Sequence, residues 1–186
     1  MITLDGFFEG PEREIDWHNV DSEFNEFAGH QLNETDIILF GRVTYELMAH
    51  YWPTESAVKN DPIIADKMNE IPKVVFSRTL EKADWNNTRI IKENITEEVL
   101  KLKREPGKEI AIFGSSDLAA TFIQADLIDE YRIMINPVIL GSGKSVFQGI
   151  SDRHNLKFIK TKSFNSGNVL VYYQPDRKEQ LQLPRT

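Results

Sequence analysis

Cysteine is absent from the chain. That excludes disulfide frameworks, thiolate nucleophiles and cysteine-ligated zinc. The four histidines, His18, His30, His50 and His154, form no HxH or HxxxH pair, so no histidine metal site is expected. No apolar run approaches the roughly 18 residues that a membrane span requires. The amino-terminal residues also lack the basic-then-apolar order of a secretory leader. These absences predict a cytoplasmic protein without a membrane partner. Basic charge is scarce as well: 22 Lys and Arg stand against 29 Asp and Glu, a net of −7. Such a surface repels phosphate backbones, so nucleic acid is not an expected partner. A local basic pocket for a small phosphorylated ligand remains compatible with that balance.

What is present is ordinary globular composition, 40% hydrophobic and 27% charged over 186 residues. It suits one domain with one core, expected over residues 1–174 with a polar tail over 175–186. Short β-like runs alternate with helical patterns, as in a layered α/β domain. Asp21 opens a helix with Phe24, Phe27, Ala28 and Leu32 on one face. Asp36 to Phe40 reads as a buried strand, followed by a helix with Val43, Leu47, Met48 and Tyr51 on one side. Asp61-Pro62 starts another helix. Lys73–Phe76, Arg89–Lys92 and Glu109–Phe113 read as strands, and Asn94–Glu97 as a capping box. In the last third, Glu130–Leu140 reads as a long strand. Leu156–Lys162 and Asn168–Tyr173 read as a hairpin about Asn165-Ser166-Gly167. The sheet is therefore expected to be parallel early and to gain antiparallel strands late.

Three strand-to-helix junctions carry the same chemistry: Phe40-Gly41-Arg42-Val43-Thr44-Tyr45, Phe76-Ser77-Arg78-Thr79 and Phe113-Gly114-Ser115-Ser116-Asp117. Glycine lets backbone approach an anion, and helix N-terminal N–H groups carry partial positive charge. Arg42 and Arg78 add cations that fork to phosphate. Taken singly, each junction is also ordinary turn chemistry. Together they suit a ligand with phosphates at two positions. Gly141-Ser142-Gly143-Lys144-Ser145 ends like a P-loop, but Val138 stands where that loop needs its first glycine, so it reads as a turn. The long segment from Asp5 to Val20 holds Gly6, Phe7, Phe8, Gly10, Asp16 and Trp17. It reads either as a lid over a flat heterocycle or as a loop packed down by its own aromatics. Tyr51-Trp52-Pro53 lines a substrate pocket or closes the core, and Trp85 reads as structural.

Taken in order, these segments resemble the dihydrofolate reductase superfamily, in the branch containing the C-terminal reductase domain of the bifunctional riboflavin-biosynthesis enzyme. The resemblance rests on Thr3-Leu4-Asp5-Gly6, Leu39 to Tyr45, Phe76-Ser77-Arg78, Ile112 to Ser115, Leu127 to Tyr131 and Asn136 to Gly143. It runs to about Tyr173. Relatives place several residues of a central strand before the Thr-Leu-Asp-Gly segment; here four residues precede Asp5.

The resemblance implies a three-layer α/β/α fold about a mixed central sheet with a C-terminal antiparallel hairpin. It also implies NADPH lying across the strand ends. Gly41, Arg42 and Thr44 would hold phosphates of the adenosine half, Ser77 and Arg78 the 2′-phosphate, and Gly114, Ser115 and Ser116 the pyrophosphate. Asp5, Phe8, Trp17 and Trp52 would face the substrate. Folate reductases protonate their substrate with a carboxylate early in the first helix. Asp21 is the candidate here and Asp16 its rival, although Asp21 also fits a helix cap and Asp16 a solvated loop. The implied reaction is hydride transfer to a heterocycle or sugar imine, related to 5-amino-6-(5-phosphoribosylamino)uracil or a pterin. A small-molecule substrate and a homodimer are the expected partners. The alternative is a nucleotide-binding or accessory protein on the same fold.

Overall fold

A computed structural model of the protein describes residues 1–113 and 116–177. The elements in chain order are β1 (Ile2–Thr3), β2 (Phe7–Glu9), α1 (Ser22–Asn33), β3 (Thr35–Gly41), α2 (Arg42–Tyr51), α3 (Glu55–Asn60), α4 (Pro62–Glu70) and β4 (Lys73–Phe76). They continue with β5 (Thr88–Ile91), α5 (Ile95–Leu102), β6 (Glu109–Ile112), α6 (Ser116–Gln124), β7 (Tyr131–Asn136), β8 (Lys144–Ser145), β9 (Leu156–Ser163) and β10 (Val169–Pro175). Two units emerge, Asp21–Ala119 and Met1–Val20 with Ala120–Thr186.

The first unit is built on a parallel sheet in the order β5-β4-β3-β6. Its central strands read as continuous apolar runs because both faces are covered: Ile38, Leu39 and Phe40 are buried, as is all of β4. Parallel neighbours require crossovers, and helices supply them on either side of β3. The rings of Phe40, Tyr45 and Trp85 pack at centroid distances of 6.1 to 6.5 Å, with Leu32, Ile64, Met68 and Val75 around them. Trp85 is structural, as its sequence setting suggested. Pro62 sits at the first turn of α4. The carboxylate of Asp61 accepts from Asn25 Nδ2 at 2.9 Å, which ties α4 to α1 instead of capping α4.

The second unit holds the four-stranded sheet β1-β7-β10-β9, in which β1 is parallel to β7 and the remaining pairs are antiparallel. The β9–β10 hairpin closes through Phe164 N to Asn168 O at 2.9 Å, with Gly167 left-handed at φ +89. Strands β2 and β8 form a small antiparallel pair of their own. The parallel-then-antiparallel order is thus the one the sequence pattern indicates.

Several local expectations are corrected. The strand predicted over Glu130–Leu140 stops at Asn136, because Pro137 has no N–H to donate to a ladder. Helix α2 buries Thr44 and Tyr45, whereas Val43, Leu47 and Tyr51 are exposed; the rings of Tyr45 and its core neighbours set the inward face. Asn94 precedes α5 in the left-handed region at φ 55 with no side-chain cap, so the capping box does not form. Strand β6 is half-buried, being the edge of its sheet. Helix α3, capped by Thr54 Oγ1, was not anticipated. Ile133, Val169 and Val171 are half-buried. The exposed edge is β9, with Leu156, Phe158 and Ile159 open to solvent.

Lys73 is 1% exposed. Its ammonium donates to Asn69 O, Ile71 O and Asn86 O at 3.0, 2.7 and 3.1 Å and lies 4.4 Å over the Trp85 ring. Three acceptors match three N–H donors, so the side chain ties the end of α4 to the segment entering β5. Burial pushes its pKa from 10.5 down to about 8. The unfolded chain therefore binds more protons than the folded one between those values, and this group's contribution to stability rises with pH across that window. Lys73→Met, which orphans three carbonyls, is expected to lower the unfolding free energy by roughly 2–4 kcal/mol near neutral pH. Denaturant titrations should show the wild-type-minus-variant difference growing from pH 8 to 10.5. A flat or shrinking difference contradicts this account of Lys73.

Candidate functional site

Register brings the predicted phosphate-binding junctions together. Gly41 pairs with Phe76 across β3 and β4, and Leu39 pairs with Ile112 across β3 and β6. The carboxyl ends of three adjacent parallel strands therefore lie along one edge, where open α/β sheets take ligands. Gly41 is the N-cap of α2 in extended geometry and brings no side-chain cap, so the helix presents its first-turn N–H groups without a competing oxygen from that residue. Thr44 is buried one turn in.

The two arginines differ. Arg42 Nη1 donates to both carboxylate oxygens of Glu46, at 3.1 and 3.0 Å. An exposed pair of this kind contributes about 0–1 kcal/mol, a weak restraint that a phosphate can outcompete. Arg78 is exposed and has no ion pair among the described residues. Beside it, Ser77 Oγ accepts from Thr79 N at 3.2 Å and Leu80 N at 2.9 Å, which fixes the turn and leaves the hydroxyl proton to donate elsewhere. Ser116, the first residue of α6, is 3% exposed, and its hydroxyl has no hydrogen-bond partner among the described residues. A buried hydroxyl left unpartnered at a helix start suits an absent acceptor. Gly114 and Ser115 lie outside the described residues.

The predicted substrate and acid residues divide differently. Asp21 is the N-cap of α1, accepting from Phe24 N at 2.8 Å. One oxygen of its carboxylate is thus engaged by the helix, as the cap reading expects. Trp52 closes α2 and packs against the core around Phe40, with Nε1 to Met48 Sδ at 3.2 Å. Its ring serves the core. Asp16 is exposed. Phe8 lies half-buried in β2. Trp17 packs edge-on against His18 with centroids 4.4 Å apart, and its indole N–H is buried without a partner among the described residues. Burial holds His18 down to about 4, with the amino terminus adding to the effect, so this imidazole is neutral at pH 7. Asp5 accepts from Thr3 Oγ1 and from the backbone of Leu140 and Gly141. Those bonds, the Thr3 hydroxyl foremost, hold its pKa below the ordinary carboxylate value.

Sequence reasoning missed a polar network in the second unit. Asn19 N donates to Asn136 Oδ1 at 2.9 Å, Asn19 Nδ2 to Ser166 O at 2.7 Å, and Asn168 Nδ2 to Asn19 O at 2.7 Å. Asn136 and Asn168 are fully buried. Residues so far apart in the chain carry no local signal of their pairing. The rejection of the P-loop holds, since Lys144-Ser145 is a strand, and a Cβ on Gly143 would stand 2.3 Å from Glu9 O. Among the described residues no acidic or histidine group suits a metal ion, and no helix is long and apolar enough to cross a membrane. A separate cavity of about 260 Å³, lined by Pro53, Asn69, Asp84, Trp85 and Asn86, lies near the amino-terminal ends of β4 and β5.

With that geometry in place, comparison with known proteins is informative. The sequence matches the family described as RibD C-terminal domain over residues 1–171. It is 41% identical over 174 residues to the uncharacterized protein YyaP of Bacillus subtilis (strain 168), covering 92% of this chain and 90% of that one. The fold is similar to a putative riboflavin biosynthesis protein from Shewanella sp. PV-4 (TM-score 0.72, 21% identity, 95% of this chain and 96% of that chain). It is also similar to dihydrofolate reductase from Enterococcus faecalis complexed with NADP(H) and RAB-propyl (TM-score 0.62, 14% identity, 94% and 92%). The architecture is the α/β fold of dihydrofolate reductase-like proteins.

The Asp21 geometry generates a direct test. Asp21→Ala is expected to lower the unfolding free energy by about 1 kcal/mol, measured by denaturant titration; unchanged stability contradicts the capping assignment.

Proposed function

This chain belongs to the RibD C-terminal domain family, and on that premise we propose that it is an NADPH-dependent reductase of a small heterocyclic or sugar-imine substrate. The observation that carries the reading is the alignment of three strand-to-helix junctions along one sheet edge. The residues there fit the cofactor. The Gly41–Thr44 junction and Arg42 would hold the adenosine-side phosphates, Ser77 and Arg78 the 2′-phosphate, and the segment ending at Ser116 the pyrophosphate. Ser116 Oγ, buried and without a partner among the described residues, fits a phosphate oxygen as its acceptor. NADPH, when bound, supplies a hydride.

The chain's own contribution is binding, orientation and water exclusion. Of the four residues expected to face substrate, Phe8 and Trp17 remain candidates to contact a flat ring, since Trp52 packs on the core and Asp5 is held by backbone donors. A 5-amino-6-(5-phosphoribosylamino)uracil-like or pterin-like compound is the substrate class. We place the protein in the cytoplasm and as a homodimer; a monomer mass by light scattering at high concentration excludes the latter. A second reading, nucleotide binding without catalysis, is favoured by one fact: Asp21 is spent as a helix cap. Cofactor binding without turnover on pyrimidine and pterin substrates supports that reading over the first.

Arg78 is expected to set the preference for NADPH over NADH. A charge-assisted phosphate contact contributes about 1.5–3 kcal/mol, or roughly tenfold to a hundredfold in affinity. Arg78→Ala should therefore erase most of the difference between the two dissociation constants, and Arg42→Ala less of it, because Arg42 must first leave Glu46. Equal affinities for both cofactors in the wild type contradict the assignment. Gly114→Val is expected to abolish the thermal shift produced by NADPH while most apo stability remains; a variant that shifts like wild type removes Gly114 from the pyrophosphate cradle.

A further inference from the structure

Asp5 stands where two arms of the second unit meet. One arm runs from Thr3 through β2, the other from Pro137 through β8. Leu4 N donates to Val138 O at 2.8 Å at one end. At the other, Phe7 pairs with Ser145 and Glu9 with Lys144. Between these anchors both arms turn through left-handed glycines, Gly6 at φ +85 and Gly141 at φ +77. Backbone turning in this way leaves N–H groups with no strand partner.

Leu140 N and Gly141 N instead aim at the Asp5 carboxylate, at 3.3 and 2.8 Å. Thr3 Oγ1 completes the set, donating to Asp5 Oδ1 at 2.6 Å while accepting from Phe7 N at 2.9 Å. Thr3 is fully buried, so one end of the clasp is anchored in the interior. Every side-chain or backbone partner that reaches Asp5 across the gap is a donor. Only an acceptor-only group satisfies all three, and an ionised carboxylate is that group.

We propose that Asp5 is a positioning residue whose carboxylate locks the 137–145 arm onto the 3–9 arm, so that it acts on substrate through the arms and not by touching it. The lock does not depend on the reductase reading; its effect on turnover does. Lys144 makes it measurable, being the sole Lys or Arg between Pro137 and Ser145. Its half-buried position in β8 means that trypsin reaches it only when the arms part.

The experiment follows trypsin cleavage after Lys144 by mass spectrometry in wild type, Asp5→Ala, Asp5→Asn and Thr3→Val. Both Asp5 variants should be cut there roughly tenfold to a hundredfold faster, with cleavage elsewhere little changed. Asn fails to rescue because its amide faces a backbone donor with another donor. Thr3→Val keeps the carboxylate and removes one donor, so it should show a smaller acceleration, and it keeps the test readable if Asp5→Ala does not fold. Cleavage at Lys144 that is unchanged in both Asp5 variants, or restored to the wild-type rate by Asn, overturns the lock.

A second arm uses NADPH oxidation with dihydrofolate as the probe. The lock predicts a raised KM for dihydrofolate in Asp5→Ala, with the NADPH dissociation constant unchanged. Lost turnover with wild-type resistance at Lys144 overturns the proposal in favour of direct contact. Failure of wild type to bind NADPH at all counts against the reductase reading, and the trypsin result then decides the lock alone.

Discussion

The parallel register of β3 with β4 and β6 is the constraint on which the rest depends. Pairing of Gly41 with Phe76 and of Leu39 with Ile112 places three strand ends on one edge. A slip of one residue would turn every side chain of β3 to its other face, and the packing of Phe40 against Tyr45 and Trp85 would be lost. The hydrophobic core therefore fixes the register, and the register fixes where the three strand ends lie.

Several charged side chains tie segments of this protein together. Asp21 caps α1, Asp61 ties it to α4, and Lys73 gathers three carbonyls between α4 and β5. Asp5 does the same for two glycine turns. Arg78 differs, since its guanidinium is exposed and lacks an ion pair among the described residues.

The strands that position the site were legible because their signals are local. Lys73–Phe76 is an unbroken apolar run apart from its first residue, and Pro62 marks a helix start through its fixed φ. The family resemblance added the order of the motifs, which periodicity alone does not supply. Failures came where tertiary contacts outrank local pattern. Val43, Leu47 and Tyr51 have helical spacing, yet Tyr45 faces the core because Phe40 and Trp85 are there to receive it. Nothing in the sequence says that Leu140 and Gly141 direct their N–H groups at Asp5. The asparagine network about Asn19 was illegible for the same reason.

Amide hydrogen exchange with and without NADPH tests the central claim most directly. The account predicts slowed exchange in the segments that follow β3, β4 and β6, including Arg42 to Thr44, Thr79 to Leu80 and the start of α6, with little change around the Trp85 cavity. Protection confined to the Asn69, Trp85 and Asn86 region, or no protection at any of the three junctions at saturating NADPH, would contradict it.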